Sequence, residues 1–148
     1  MERSFEMLEP LDASACLIVC DSEKLLFQKR DNKEGIFFPK RWGLFGGAID
    51  FGESPRDCIV REIKEEIDLE IAPSRFDFLS ELCMKSDSKR LSRYFFKVRI
   101  SEHEFDSITL KEGSRHGAFA FCELNDLSVT PYDEYFLQIF YNTAFLRG

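Results

Sequence analysis

The chain reads as an α+β domain, a mixed β-sheet with helices on both faces. Three observations predict it. Short apolar runs rich in β-branched residues stand before and after one capped amphipathic helix. A proline opens a second helix near the C-terminus. The 148 residues suit a single core, and no repeat, low-complexity tract or Pro/Gly/Ser linker divides them, so one domain over 1–148 is expected.

Ala13 to Cys20 is small, apolar and β-branched, which predicts a buried strand. Asp21 to Lys24 is a polar turn, and Leu25 to Arg30 its hairpin partner. Asp31 to Arg41 reads as a loop, and Trp42 to Gly47 as a short Gly-rich stretch. Asp50 to Glu53 turns the chain. Ser54 is then a good N-cap, with Pro55 at the first helical position and Asp57 completing an S-x-x-D box. The helix should run from Pro55 to about Ile67 and bury Ile59, Ile63 and Ile67. Arg75 to Met84 and Ser92 to Ile100 read as strands joined by the turn Ser86 to Lys89. Ile108 to Leu110 and Gly117 to Cys122 read as two more. Pro131 opens the closing helix, whose buried face should hold Tyr135, Phe136, Ile139 and Phe140.

Composition narrows the function. A net charge of −7 disfavours polymeric nucleic acid and anionic membranes as partners, since both are bound through Lys and Arg. Met1 to Asp12 has no apolar core of a signal peptide, and no apolar run approaches the ~20 residues of a membrane span, so a cytoplasmic location is expected. The 5 cysteines are odd in number and sit among apolar neighbours, which suits buried free thiols better than disulfides or zinc.

The chemistry lies in the predicted helix. Glu62, Glu65 and Glu66 are spaced i, i+3 and i+4, which puts three carboxylates on one face. Like charges at that spacing cost an isolated helix a few tenths of a kcal/mol. Two readings account for them. A hard divalent cation, Mg²⁺ or Mn²⁺, would relieve the repulsion. Alternatively the acids form a solvated face paired with Arg61 and Lys64.

The wider spacing favours the first. Gly47, five residues, Glu53, seven residues, then Arg61-Glu62-Ile63-Lys64-Glu65-Glu66 resembles the Nudix box. At roughly 7% per position, the six identities agree by chance about once in 10⁷ start sites. One departure stands out: Asp68 occupies the family's glycine, a position that ends the helix in a left-handed conformation. The lead-in through Arg30, Pro39, Trp42-Gly43 and Gly46-Gly47 is also similar to the family, with Phe45 where many members have proline. So are Leu110 to Gly113, Ala118 to Phe121 and Glu123-Leu124.

The resemblance implies a Nudix-type α/β/α sandwich and Mg²⁺-dependent hydrolysis of a nucleoside diphosphate linked to a further group, with Mn²⁺ as substitute. It implies Glu62, Glu65, Glu66 and the carbonyl of Gly46 as metal ligands. Arg61 would orient the glutamates, and Glu53 would support the loop or a further metal. The general base would be a box glutamate, Glu65 or Glu66, or Glu112 on a later loop, with Glu102 and Glu104 as rivals. Lys29, Arg30, Lys33, Lys40 and Arg41 are cations near the box that suit phosphate contacts, Arg30 and Arg41 foremost. Phe37, Phe38 and Trp42 offer rings for a base or for the core, and Trp42 is the substrate-side choice.

No proline lies between Pro73 and Pro131, and no tyrosine between Leu69 and Tyr94. Family members acting on ADP-ribose or dinucleoside polyphosphates often carry one or the other. The chain therefore resembles the MutT-like group, and a (d)NTP or nucleotide sugar is the expected small-molecule partner. The rival is a catalytically silent module that senses a nucleotide or binds a protein. The aromatic segment Tyr132 to Phe145 suits either its own sheet or a homodimer contact.

Overall fold

A computed structural model describes residues 12–30, 41–86, 89–111, 115–119, 123 and 128–146. Strand β1 (Ala13–Cys20) is the axis of a 7-stranded sheet. Its side chains alternate between two cores, as a pleated strand requires. Cys16, Ile18 and Cys20 pack with Ile59, Ile63 and Ile67 of helix α1 (Pro55–Ile67). Ala15, Leu17 and Val19 pack with Phe136 and Leu137 of the closing helix α3 (Pro131–Leu146). One apolar strand thus serves helices on both faces, and the α/β/α sandwich follows.

The pairing makes the sheet mixed. On one edge β1 runs parallel to β6 (Lys89–Ile100), from Ala13↔Arg93 to Cys20↔Ile100, and β6 pairs antiparallel with β5 (Asp77–Ser86). The other edge of β1 is shared between two strands. The second half of β1 holds β2 (Leu25–Lys29) through Ile18↔Leu26 and Val19↔Leu25, while its first half holds β4 (Phe45–Ala48) through Ala13↔Ala48 to Cys16↔Phe45. Beyond that point β2 pairs with β3 (Trp42–Gly43), and along its whole length its other edge pairs with β7 (Arg115–Phe119). The chain from Trp42 to Ala48 therefore fills a fork between β1 and β2.

Helix α1 begins and ends as its sequence dictates. The Ser54 hydroxyl accepts the Asp57 amide at 3.0 Å, and Pro55 has no amide to satisfy. The helix closes on Asp68, which adopts the left-handed conformation at φ 59. Its carboxylate compensates for the missing glycine: Lys64 Nζ lies at 2.7 Å and Lys111 Nζ at 3.4 Å. Thr109 and Lys111 donate their amides to the carbonyls of Ile67 and Glu66. The expected strand Ile108 to Leu110 is thus not a strand; the segment satisfies the exposed carbonyls of the α1 terminus. A short helix α2 (Glu102–Asp106) precedes it, opened by a Ser101/Glu104 capping box.

Helix α3 turns a different face inward than expected. Phe136 is buried, but its companions are Asp133 and Leu137, while Tyr135 and Ile139 are about half exposed. Phe140 lies outside the residues whose side chains are described. Asp133 is the anchor. Its Oδ2 accepts the Leu44 amide at 3.0 Å and the Thr130 hydroxyl at 2.7 Å, and its Oδ1 accepts from Arg93 at 2.9 Å. It joins α3 to β6 and to the fork. Cys16, Cys20 and Cys58 are buried thiols as expected, whereas Cys83 is exposed. Replacing Asp133 with Ala would leave a buried amide unpartnered and Arg93 uncompensated. Urea unfolding should show a loss of about 3 kcal/mol, with Asp133→Asn losing less.

Candidate active site

The site forms where β4, the following turn and α1 meet. Gly46 (φ +150) lies so close to β1 that a Cβ would stand 2.0 Å from the Ser14 carbonyl oxygen. A Cβ on Gly47 would stand 2.4 Å from Glu62 Oε1. The Gly-Gly pair therefore lets backbone approach both β1 and the acidic helix face, which no larger residue allows.

After β4 the turn closes on itself. The Asp50 amide donates to Glu53 Oε1 at 3.0 Å, and the Glu53 amide to the Asp50 carbonyl at 3.0 Å. Phe51 stands fully exposed at its tip. Arg61 ties this turn to the helix. Its Nε and Nη2 donate to the two Glu53 oxygens at 2.8 and 2.9 Å, its Nη2 also to the Ala48 carbonyl at 3.0 Å. Its Nη1 reaches Glu62 at 3.0 Å and Glu65 at 3.1 Å, and Asp50 lies at 3.4 Å. Four carboxylates thus surround one guanidinium. The Arg61 hydrogen bonds hold the Glu53 carboxyl down at about 2, and the surrounding anions, Glu53 first, push Arg61 up.

Glu66 is held differently. Only 2% exposed, it accepts the Gly46 amide on Oε1 at 2.9 Å and the Gln28 side-chain amide on Oε2 at 2.5 Å. Glu65 is the most exposed of the three helix carboxylates. Among the described residues no three acidic, Cys or His side chains already converge as a ligand set. Glu65 turns toward Arg61 and Glu66 toward β2 and β4. The donors nevertheless suit a hard cation: they are oxygens, they sit on one helical face, and their charge exceeds what Arg61 neutralises.

The other expected residues fall as follows. Arg30 and Arg41 are cross-strand neighbours, the Arg30 amide donating to the Arg41 carbonyl at 2.8 Å. Continuing the β2–β3 register puts both on the sheet face of Gln28, the face turned to Glu66. Trp42, expected on the substrate side, lies instead in the second core, 6% exposed, with the Arg115 guanidinium 5.1 Å above its ring. Its burial follows from its pairing with Lys29, which turns it to the α3 face. Glu112, Lys33, Lys40, Phe37 and Phe38 lie outside the described residues. Gln28, Asp133 and Arg115 are additions that the sequence reading does not contain. The signal for Gln28 is its place beside Leu25-Leu26-Phe27, since an amide in a buried strand must find a partner.

Glu104 is engaged elsewhere. Its two oxygens accept from Arg75 at 2.6 and 2.8 Å, and that pairing lowers its carboxyl to about 2. A folded-state pKa below the ordinary 4.5 contributes stability above pH 4.5 that is lost as pH falls toward 2. Both side chains are partly exposed, so Glu104→Gln should cost about 1 kcal/mol at pH 7. Denaturant unfolding at several pH values should show that difference fading between pH 4.5 and about 2.

Fold and site together define a family of hydrolases whose box carries its acids on one helix. The NUDIX domain model matches residues 10–140, and the chain belongs to the Nudix family. It is 30% identical over 107 residues to an RNA pyrophosphohydrolase of a Nitratiruptor species, an alignment spanning 66% of this chain and 63% of that relative's length. Among solved structures, it resembles a MutT protein of Methanosarcina mazei Go1, with a TM-score of 0.74, 17% identity, and coverage of 93% of this chain and 98% of that one. An Ap4A hydrolase of C. elegans, solved as a binary complex, has a TM-score of 0.67, 18% identity, and coverage of 93% and 98%. At these identities the structural matches speak to the fold alone.

Proposed function

We propose that this chain is a divalent-metal-dependent pyrophosphohydrolase acting on a nucleoside diphosphate joined to a further group, with a (d)NTP or nucleotide sugar as first substrate class. The observation that carries the reading is one helical face on which Arg61 bonds Glu62 and Glu65 while the Gly46 amide bonds Glu66. Glu62, Glu65, Glu66 and the Gly46 carbonyl would hold Mg²⁺ or Mn²⁺. Such an ion neutralises phosphate charge and makes a bound water acidic enough to attack near neutral pH.

The chain's own residues then have distinct tasks. Arg61 keeps the turn and the helix acids in one unit. Arg30 and Arg41 meet the substrate's phosphates by charge-assisted hydrogen bonds. A carboxylate takes the water's proton as the anhydride link breaks. Glu65, Glu66 and Glu112 are the choices for that base.

A second substrate reading has its own support. The relative from Nitratiruptor is an RNA pyrophosphohydrolase, and Arg30 and Arg41 lie side by side on the Gln28 face where β2 and β3 meet. Those cations suit a 5′-triphosphate on an RNA end as well as a free nucleotide.

One panel decides among these readings: (d)NTPs, 8-oxo-dGTP, nucleotide sugars, ADP-ribose, NADH, diadenosine tetraphosphate and 5′-triphosphorylated RNA, in Mg²⁺, with products resolved by chromatography. We expect turnover that stops in chelator and falls by about 10³-fold in the Glu65→Gln, Glu66→Gln double variant. Turnover confined to RNA moves the substrate to the second reading. Mg²⁺-dependent nucleotide binding with no turnover of any substrate overturns the enzyme in favour of a sensor.

A further inference from the structure

Gln28 lies on β2, 38 residues before Glu66, and is 6% exposed. Its neighbours along the strand, Leu26 and Phe27, are fully buried. Its side chain spans from the sheet to the helix, where Nε2 donates to Glu66 Oε2. The orientation of the amide follows from chemistry: an ionised carboxylate only accepts, so the NH₂ end must face it. The opposite oxygen, Oε1, takes the Gly46 amide. Glu66 is therefore fixed at both oxygens, by two neutral donors from two different strands. Arginine or lysine at position 28 would hold the carboxylate too, but would cancel the charge that a cation needs. Glutamate has the same shape, yet would set a second anion against the first. An amide fixes direction and preserves charge.

We propose that Gln28 is a positioning residue for Glu66, holding its carboxylate in the orientation that binds the divalent ion. The inference rests on the metal-dependent reading of the site above. Outer partners of metal ligands act in this way, and removing one typically lowers metal affinity or activity by 10- to 100-fold. Arg61 bonds Glu53, Glu62 and Glu65, whereas Gln28 bonds Glu66, so the two devices act on different members of the acid cluster.

The test uses the full chain and Mn²⁺ alone, followed by electron paramagnetic resonance, with nucleotide hydrolysis measured in parallel. Gln28→Met keeps the size and removes the donor. Mn²⁺ affinity should fall about 10- to 100-fold, and kcat should fall with it at fixed metal, while KM for nucleotide changes by less than about twofold. In a Glu66→Gln background the same change should add less than about twofold, because no carboxylate is left to position. Gln28→Leu likewise lacks a donor, so it serves if the Met variant does not fold, and its Mn²⁺ affinity should fall as far. Wild-type Mn²⁺ affinity in a folded Met or Leu variant overturns the proposal, as does a full additional loss in the Glu66→Gln background. A wild-type chain that binds Mn²⁺ but hydrolyses nothing overturns the enzyme reading and leaves the Mn²⁺ comparison decisive for Gln28.

Discussion

The structure depends on one close approach. Between β1 and helix α1 the backbone of Gly46 and Gly47 passes with no room for side chains, against the Ser14 carbonyl on one side and the Glu62 carboxylate on the other. That approach brings a backbone amide to Glu66 and a backbone carbonyl of the same strand within reach of Arg61, through Ala48. The acids would otherwise repel one another on a solvated helix face. Here each is met by a donor that the strand, the helix or the sheet supplies. The sandwich architecture is what makes this possible, because the apolar stripe of Ile59, Ile63 and Ile67 fixes the helix on the sheet and so fixes its acidic flank against β4.

The elements legible in the sequence are those with a local signature. The buried β1, the hairpin into β2, the capped helix and its isoleucine stripe, and the strand pair β5 and β6 each follow from patterns within a few residues. The acid cluster and its arginine are legible for the same reason, since helix geometry converts spacing into proximity. What is not legible depends on partners far along the chain. The fork in which β1 gives half its edge to β4 and half to β2 is a tertiary arrangement. The buried face of α3 differs from the aromatic stripe because it includes Asp133, a charged residue whose burial makes sense only beside Leu44, Thr130 and Arg93. The Trp42 ring suits either core or substrate by its chemistry, and only its pairing with Lys29 decides the face. Helix α2 does carry a local sign, Ser101-x-x-Glu104, that the neighbouring apolar run conceals.

The departures from the family pattern show how local chemistry substitutes for a missing residue. At the helix exit, left-handed backbone at Asp68 carries a steric cost that glycine avoids. Two lysines meet its carboxylate, one from the same helix and one from the segment that caps the α1 carbonyls. The hydrogen bond from Lys64 is the main cause of the lowered pKa of Asp68. The cost is offset by an interaction that glycine cannot make, and the segment before Glu112 gains a side-chain tie to the helix terminus beside its two backbone bonds.

An acidic chain that handles phosphates must separate its charges in space. Along β2 that separation occurs within three residues. Gln28 faces the buried carboxylate of Glu66, Lys29 turns to the opposite face with Arg115 as its cross-strand neighbour, and Arg30 returns to the face of Gln28 with Arg41 across from it. Strand alternation alone sorts these side chains, so a neutral amide and a cation can sit on one face two residues apart. The carboxylates lie on the helix and the cations on the strand that ends beside it. A polyanion lying along this face would meet cations at one end and the acid cluster at the other. The two regions tolerate such a ligand together only when the acids carry a counter-charge. With the cation of the proposed function in place, the net charge of −7 would work as a filter: it would discourage anions from docking on the surface at large and leave one face where that cation reverses the sign.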